Sequence, residues 1–468
     1  MTTTPGATGR FVLGWQLPKG GAGLRLSRRV QDLMDDPQAM GNYMTYRDAI
    51  RILGLDPGSI YREGRIDLDL AEWSDLGWMA AHMGPPPAAV ERMREATIPE
   101  NIGPYSPDLV GPLRELVAVK KFGRPRGPEF EVIGTEGAQA GVSFTVQTVV
   151  DPGDEVIVTD PGYFHFIPSV RLAGGIPVRM PLGPENGYRM QPDDLRRYIT
   201  DRTKLIVVCD PLNPFGVVQT RQELIEIIDI AREAGAFVLD DITHNSHRID
   251  PEAEHISMSA LYEDTDTRHV VTTFGMSHGY GMAAARIGFL AGDPSLMRAC
   301  LAAKIALVRL NTNLIGQYGA LAAIEQGDDY LHAAEQIARR NLEHVRETVR
   351  LTPGFRIPVE PQYGFSMVID VSGAGISAQE LCVALFKRRV AVYPGDGLGD
   401  VGATEFIRVN FSQPDLSAFE RFRAALPDSI AEAKSGLYRE AVIDFFAATD
   451  TNRGRMIVEK LKALPSGG

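Results

Sequence analysis

Three short stretches carry residue types and spacings that could do chemistry. "TEGAQAG", from Thr135 to Gly141, follows an apolar strand-like run and opens a helix-like one, so Gly137, Ala138 and Gln139 would present backbone N–H groups at a helix N-terminus. Such a cup binds anions, and the same residues also suit a plain tight turn between strand and helix. In "DPLNPFG", Asn213, Pro214 and Gly216 are turn formers that follow the apolar run "KLIVVC". "VLDDIT" puts Asp240 at a strand end, where open α/β sheets hold ligands, although a strand-end Asp also serves as a helix cap.

The elements that must position these residues are legible as a repeated alternation. From about Glu131 onward, "FEVIG", "DEVIVTD", "IPVRMPL", "KLIVVCD", "FVLDD", "HVVTTF" and "RIGFLAG" read as short apolar strands separated by helical runs. One of these runs, "TRQELIEIIDIAREAG", is amphipathic, with Thr220 and Glu223 spaced for a capping box. Strands alternating with helices imply a mostly parallel sheet covered on both faces. Upstream, "LSRRVQDLMDDPQAMGNYMTYRDAIRILGL" reads as a helix broken near Pro37, and "PPPAAVERMREA" as a helix opened by prolines. The first ~25 residues are Gly/Pro-rich and read as an arm. Downstream, a helix from about Ala334 leads into "YGFSMVIDV", "VAVYPG" and "FIRVNFS", a smaller α+β unit with a helical tail.

Composition narrows the field. With 48 Lys+Arg against 60 Asp+Glu the net charge is −12, and no basic run invites nucleic acid or an anionic membrane. No apolar run is long enough to span a bilayer, and the first residues lack the apolar core of a signal peptide. Cys209, Cys300 and Cys382 are scattered and lie in apolar contexts, which points to reduced thiols and a cytoplasmic location.

Taken in order, "YSPDLVGPLREL", "TEGAQ", "DPGY", "NPFG", "DD.T", "H…R.G" and "IRVNFS" resemble the class I/II aminotransferases, pyridoxal-phosphate (PLP) enzymes of fold type I. The resemblance runs from about Ile66 to Leu426. It implies an α/β fold with a mostly parallel seven-stranded sheet and a smaller α+β domain, divided as residues 1–87, 88–335 and 336–468. It also implies a homodimer acting on an amino or keto acid. By the same resemblance, Gly137, Ala138 and Gln139 hold the cofactor phosphate, with Arg286 as a charge-assisted partner. Tyr163 stacks on the pyridine ring. Asn213 reaches the ring oxygen and borders the substrate, and Asp240 pairs with the ring nitrogen. Arg408 takes the substrate carboxylate as a bidentate pair, and Tyr105 reaches the phosphate of a neighbouring subunit.

Three positions depart from the pattern. The Schiff-base lysine is replaced by His278, the serine three residues before it by Gly275, and the tyrosine of the "DExY" motif by Thr243. Histidine forms no stable imine, yet its ordinary pKa of about 6.5 suits a general base near neutrality. The resemblance therefore implies PLP or pyridoxamine phosphate (PMP) held non-covalently, with His278 as acid/base; the sugar 3-dehydratase branch of the fold makes the same replacement. Two other readings stay open: an enzyme reusing the fold without PLP, with His165, His244, His247 and His278 gathered around a metal, and a catalytically silent partner subunit. Lys304 is the nearest lysine in sequence, and nothing marks it as a substitute.

Overall fold

The computed structural model describes residues 11–12, 15–16, 27–35, 43–56, 61–62, 65–66, 72–77, 83–449 and 451–465. Of the expected N-terminal arm, Phe11–Val12 and Trp15–Gln16 are among these residues and pair antiparallel, and the break near Pro37 lies outside them.

Seven strands form the central sheet: β1 (Glu131–Thr135), β2 (Glu155–Asp160), β3 (Ile176–Pro181), β4 (Thr203–Cys209), β5 (Phe237–Asp241), β6 (Val270–Gly275) and β7 (Gly288–Gly292). Their order across the sheet is β1-β7-β6-β5-β4-β2-β3. Only β7 runs antiparallel to its neighbours. Helices cover both faces, so β4, β5 and β6 are buried almost throughout, as their unbroken apolar runs require. The Thr220–Glu223 capping box forms as the spacing predicts: Glu223 N–H donates to Thr220 Oγ1 at 3.2 Å, and Thr220 N–H donates to Glu223 Oε2 at 2.8 Å. The prolines of "PPPAAVERMREA" open helix Pro87–Ala96.

A second core is built from both ends of the chain. Strands β8 (Ser366–Asp370), β9 (Tyr393–Pro394) and β10 (Phe406–Asn410) form an antiparallel sheet in the order β8-β10-β9. Residues of segment 44–76 pack into one apolar cluster with residues from 338–461. The helix expected from about Ala334 begins earlier, at Asp328, and runs unbroken to Arg350. Asp328 and Asp329 in its first turn favour the helix dipole. The expected 335/336 boundary falls inside it. After Ser417–Lys434, two further helices, α1 (Arg439–Ala447) and α2 (Asn452–Ala463), end the described chain.

Candidate active site

The cup forms where β1 hands over to helix Ala138–Val149. Gly137 has φ +88°, and no side chain caps the helix, so its first N–H groups have no intrahelical partner. Arg286 closes over this turn: its Nη2 donates to the Glu136 carbonyl at 2.8 Å and its Nη1 to the Ala283 carbonyl at 3.1 Å. A Cβ on Gly137 would lie 2.8 Å from Arg286 Nη2. The Gln139 side chain turns away, its Nε2 donating to the His165 carbonyl and Ser169 Oγ at 3.1 and 3.2 Å. Gly275 brings β6 against the cup; a Cβ there would meet Ala138 Cβ and N at 3.1 and 3.2 Å. A serine there would press on Ala138, which would have to give by a few tenths of an ångström.

At the end of β5 the structure separates two adjacent carboxylates. Asp240, the residue expected to pair with the ring nitrogen, is fully buried, and its Oδ1 has no hydrogen-bond partner among the described residues. Its Oδ2 accepts from Met258 N–H at 2.9 Å, Thr272 Oγ1 at 3.1 Å and Ser257 Oγ at 3.4 Å. Side chains alternate across a strand, so Asp241 points to the opposite face. There, after burial, its charge is the largest electrostatic influence holding the Tyr163 phenol and the Cys209 thiol above their ordinary values. Burial raises Asp240 to about 7 and Asp241 to about 6. Thr243, the residue expected at the tyrosine position, donates from both its hydroxyl and its N–H to Asp241 Oδ1. The next residue, His244, meets Asn213. Asn213 Nδ2 donates to His244 Nε2 at 3.2 Å, which leaves the proton of the neutral ring on Nδ1.

His278 sits in the one-turn helix Met276–Gly279 that follows β6. Its ring stacks on His244, with centroids 4.7 Å apart and planes at 24°. Phe365 lies 6.1 Å from His278, 6.2 Å from His244 and 5.6 Å from His247. His244 and His247 are buried. Burial, then the His278 and Arg408 charges, hold His244 well below the ordinary histidine range. Burial followed by the Lys121 charge lowers His247 to about 4. His165 stands apart, packed on Phe164 at 4.2 Å and Tyr163 at 5.2 Å. Among the described residues, no three His, Cys, Asp or Glu side chains are grouped as a metal site.

Arg408, on β10, is 6% exposed. Its Nη2 donates to the Gly77 carbonyl at 2.8 Å, and its guanidinium lies 4.8 Å from the Tyr393 ring. Nε has no hydrogen-bond partner, and no carboxylate pairs with the group, among the described residues. Desolvation lowers its pKa, while Tyr393, Tyr46, Tyr43 and Tyr163 are the ionisable groups around it. A buried guanidinium without a counterion is unfavourable unless an anion joins it. Lys304 is the opposite case. It is 0% exposed, and its ammonium donates to Asp108 Oδ1 at 2.7 Å, the Gly134 carbonyl at 2.9 Å and Thr312 Oγ1 at 2.7 Å, using all three N–H donors. Tyr105 is 83% exposed and beside Arg309, whose guanidinium lies 5.7 Å from its ring.

The family model for aminotransferase class I and II matches residues 75–426. The chain belongs to the class I and II aminotransferases. An aspartate aminotransferase of Bacillus sp. (strain YM-2) is 30% identical over 317 residues, 66% of this chain and 79% of that one. Aromatic-amino-acid aminotransferase 2 of Thermococcus litoralis is 27% identical over 350 residues, 73% of this chain and 86% of that one. Among solved structures, an aspartate aminotransferase double mutant of Thermus thermophilus matches with a TM-score of 0.73 at 26% identity, covering 86% of this chain and 100% of that one. A structure of the Thermus thermophilus enzyme with maleate matches with a TM-score of 0.71. Class I and II aminotransferases use PLP or PMP, and the fold here is theirs, an α/β fold built on a seven-stranded sheet. The residues of this aminotransferase fit that cofactor: the uncapped helix and Gly137 make the phosphate cradle, Asp241 offers a carboxylate beside Tyr163, and Arg408 lacks an anion. Among the described residues, no helix is long and apolar enough to cross a membrane.

Sequence reasoning did not single out Asp241 or His244, which the structure brings to Tyr163 and Asn213 respectively. The motif "DD.T" fits either carboxylate, and only the side-chain alternation of β5 decides between them.

Proposed function

We propose that this aminotransferase-family chain acts on an amino or keto acid with PLP or PMP held by non-covalent contacts alone, and that His278 moves the proton at the substrate α-carbon. The observation that carries the reading is the stacked pair of His278, where the resemblance puts the family lysine, and His244, one residue beyond Thr243 and hydrogen-bonded to Asn213. His278 offers no amine to condense with an aldehyde, but its imidazole can take and return a proton. When bound, the cofactor supplies an electron sink that makes the substrate α-hydrogen acidic.

The chain's own residues do the rest. The N–H groups of Gly137, Ala138 and Gln139, with Arg286, hold the phosphate. Tyr163 flanks the ring, and Asp241, rather than Asp240, faces the ring nitrogen. Asn213 and His244 hold the ring oxygen between them, and His244 stays neutral because it is buried beside Arg408. Arg408 fixes the substrate carboxylate, a role supported by its missing counterion and by a relative solved with maleate, a dicarboxylate. We place the large domain at 88–335 and the smaller one at 336–468 with 1–87, bridged by helix Asp328–Arg350. We also infer a homodimer, in which the exposed Tyr105 serves the neighbouring site. Exposed Ile102, Leu307, Val308 and Leu310 in the same region support it.

The test is an absorbance spectrum of purified protein with and without PLP, followed by α-hydrogen exchange of candidate amino acids in deuterated water. Retained cofactor that dialysis removes slowly, together with exchange that depends on His278, supports the reading. Exchange in His278→Asn at the wild-type rate overturns the role of His278. Failure to retain any chromophore overturns the PLP reading.

A further inference from the structure

Helices α1 and α2 lie beyond the residues that the family model matches, yet α2 sends one side chain back into the molecule. Arg453, in its first turn, is 3% exposed. Its Nε donates to Asp400 Oδ1, and its Nη1 donates to the Asp396 carbonyl at 3.0 Å. Asp400 Oδ2 accepts from Arg179 Nη1 at 3.0 Å, so one carboxylate joins the tail to β3. The N–H groups of Asp400 and Val401 donate to Asp160 Oδ1 at 2.9 and 3.1 Å. Gly162 N–H donates to the Leu398 carbonyl at 2.9 Å. Asp160 ends β2, and Gly162 directly precedes Tyr163. On the other side, Asp396 Oδ2 accepts Met44 N–H at 2.7 Å, and Tyr43 packs on Phe164 with centroids 4.8 Å apart. Loop 395–402 is thus the joint through which α2 reaches turn 160–163 and segment 43–44.

Docking the tail does not require this arginine. Val442, Phe446, Ile457 and Leu461 are already buried in the second core, and that burial is the general driving force for packing a helix. Burying a guanidinium costs desolvation instead, and its clearest effect is to fix one arrangement of its partners.

We propose that Arg453 is a positioning residue: by clamping loop 395–402 it holds turn 160–163, so the appended tail sets how firmly Tyr163 is presented to the cofactor ring. This rests on the reading of Tyr163 as the ring-flanking residue.

The experiment uses the full chain and compares wild type, Arg453→Ala, Arg453→Lys and, as a control on the same helix, Lys460→Ala, which removes only the exposed contact to Glu405. Hydrogen exchange of the cofactor-free protein is read at the peptide spanning 160–166, and the PLP dissociation constant is read by titration. Arg453→Ala should speed exchange at 160–166 and raise the PLP dissociation constant roughly 10- to 100-fold, the scale of a small misplacement transmitted from a distance. Arg453→Lys should recover part of both, since an ammonium meets Asp400 but lacks the fork that also reaches the Asp396 carbonyl. Lys460→Ala should leave both unchanged. If Arg453→Ala does not fold, Asp400→Asn is read in its place. Faster exchange confined to 395–402 and 452–463, with 160–166 protected as in wild type, overturns the proposal and reduces Arg453 to a tail anchor. Wild-type protein that binds no PLP counts against the function proposed above, and the exchange at 160–166 still decides this inference.

Discussion

His278 and Asp241 set the chemistry at the residue scale, and each can be separated from its neighbour by substitution. His278→Asn should reduce turnover by roughly 10²–10⁴-fold while leaving substrate affinity near wild type, because Arg408 and the cup do the binding; steady-state kinetics and a binding isotherm check both halves. Asp241 makes a sharper case. Its folded pKa of about 6 lies above the ordinary carboxylate value because it is buried. A group raised in this way favours the folded state below the unfolded pKa, and that contribution is lost as pH rises through about 6. Asp241→Asn should therefore raise the melting temperature of the cofactor-free protein at pH 7.5, by a free energy on the scale of about 1.4 kcal/mol for each tenfold gain in proton affinity on folding. It should change little at pH 4. The same variant should lose activity that Asp240→Asn retains, although Asp240→Asn disturbs the bonds from Met258, Thr272 and Ser257. The pairing of stabilisation with loss of activity marks a functional residue. That Asp240 and Asp241 could be confused shows where sequence reading stops. Residue types and their order located the β5 end, Asn213 and Arg408, but a one-residue choice at a strand end depends on which face packs against the cup, and no pattern of types encodes that. His244 is open to the same ambiguity, since the tyrosine position is counted from whichever carboxylate is chosen.

The elements around the cup were the most legible part of the chain. Seven apolar runs became seven strands, and the Thr220–Glu223 box capped its helix, because continuous burial and local capping leave direct marks in sequence. Less visible was how closely β6 approaches helix Ala138–Val149. Gly137 has φ +88° and ψ 166°, a region essentially reserved for glycine, and an added Cβ would lie 2.8 Å from Arg286 Nη2. Gly137→Ala should cost about 1–3 kcal/mol in stability and weaken inhibition by inorganic phosphate. Thermal unfolding and a competition titration measure the two effects. Gly275→Ser, which restores the family residue, should not improve PLP affinity, because its Cβ would sit 3.1 Å from Ala138 Cβ. Tighter binding in that variant would mean the two elements part more easily than their packing suggests.

At the scale of the whole molecule, the exposed apolar side chains near Tyr105 lead to a prediction about assembly. A paired Leu307→Glu and Val308→Glu variant should sediment as a monomer at micromolar concentration and lose activity while keeping its fold, whereas wild type should sediment as a dimer. The organisation of the two cores has a different consequence, one that concerns synthesis rather than catalysis. Segment 44–76 leaves the ribosome long before residues 338–461, yet the two share one core. The seven-stranded sheet, contiguous from Glu131 to Gly292, can close while translation continues. The apolar residues Met44, Tyr46, Ile50 and Leu76 meanwhile lack most of the partners they bury against until residues 338–461 emerge. Their exposure during that interval makes the early segment, rather than the sheet, the part of the nascent chain that most needs a chaperone.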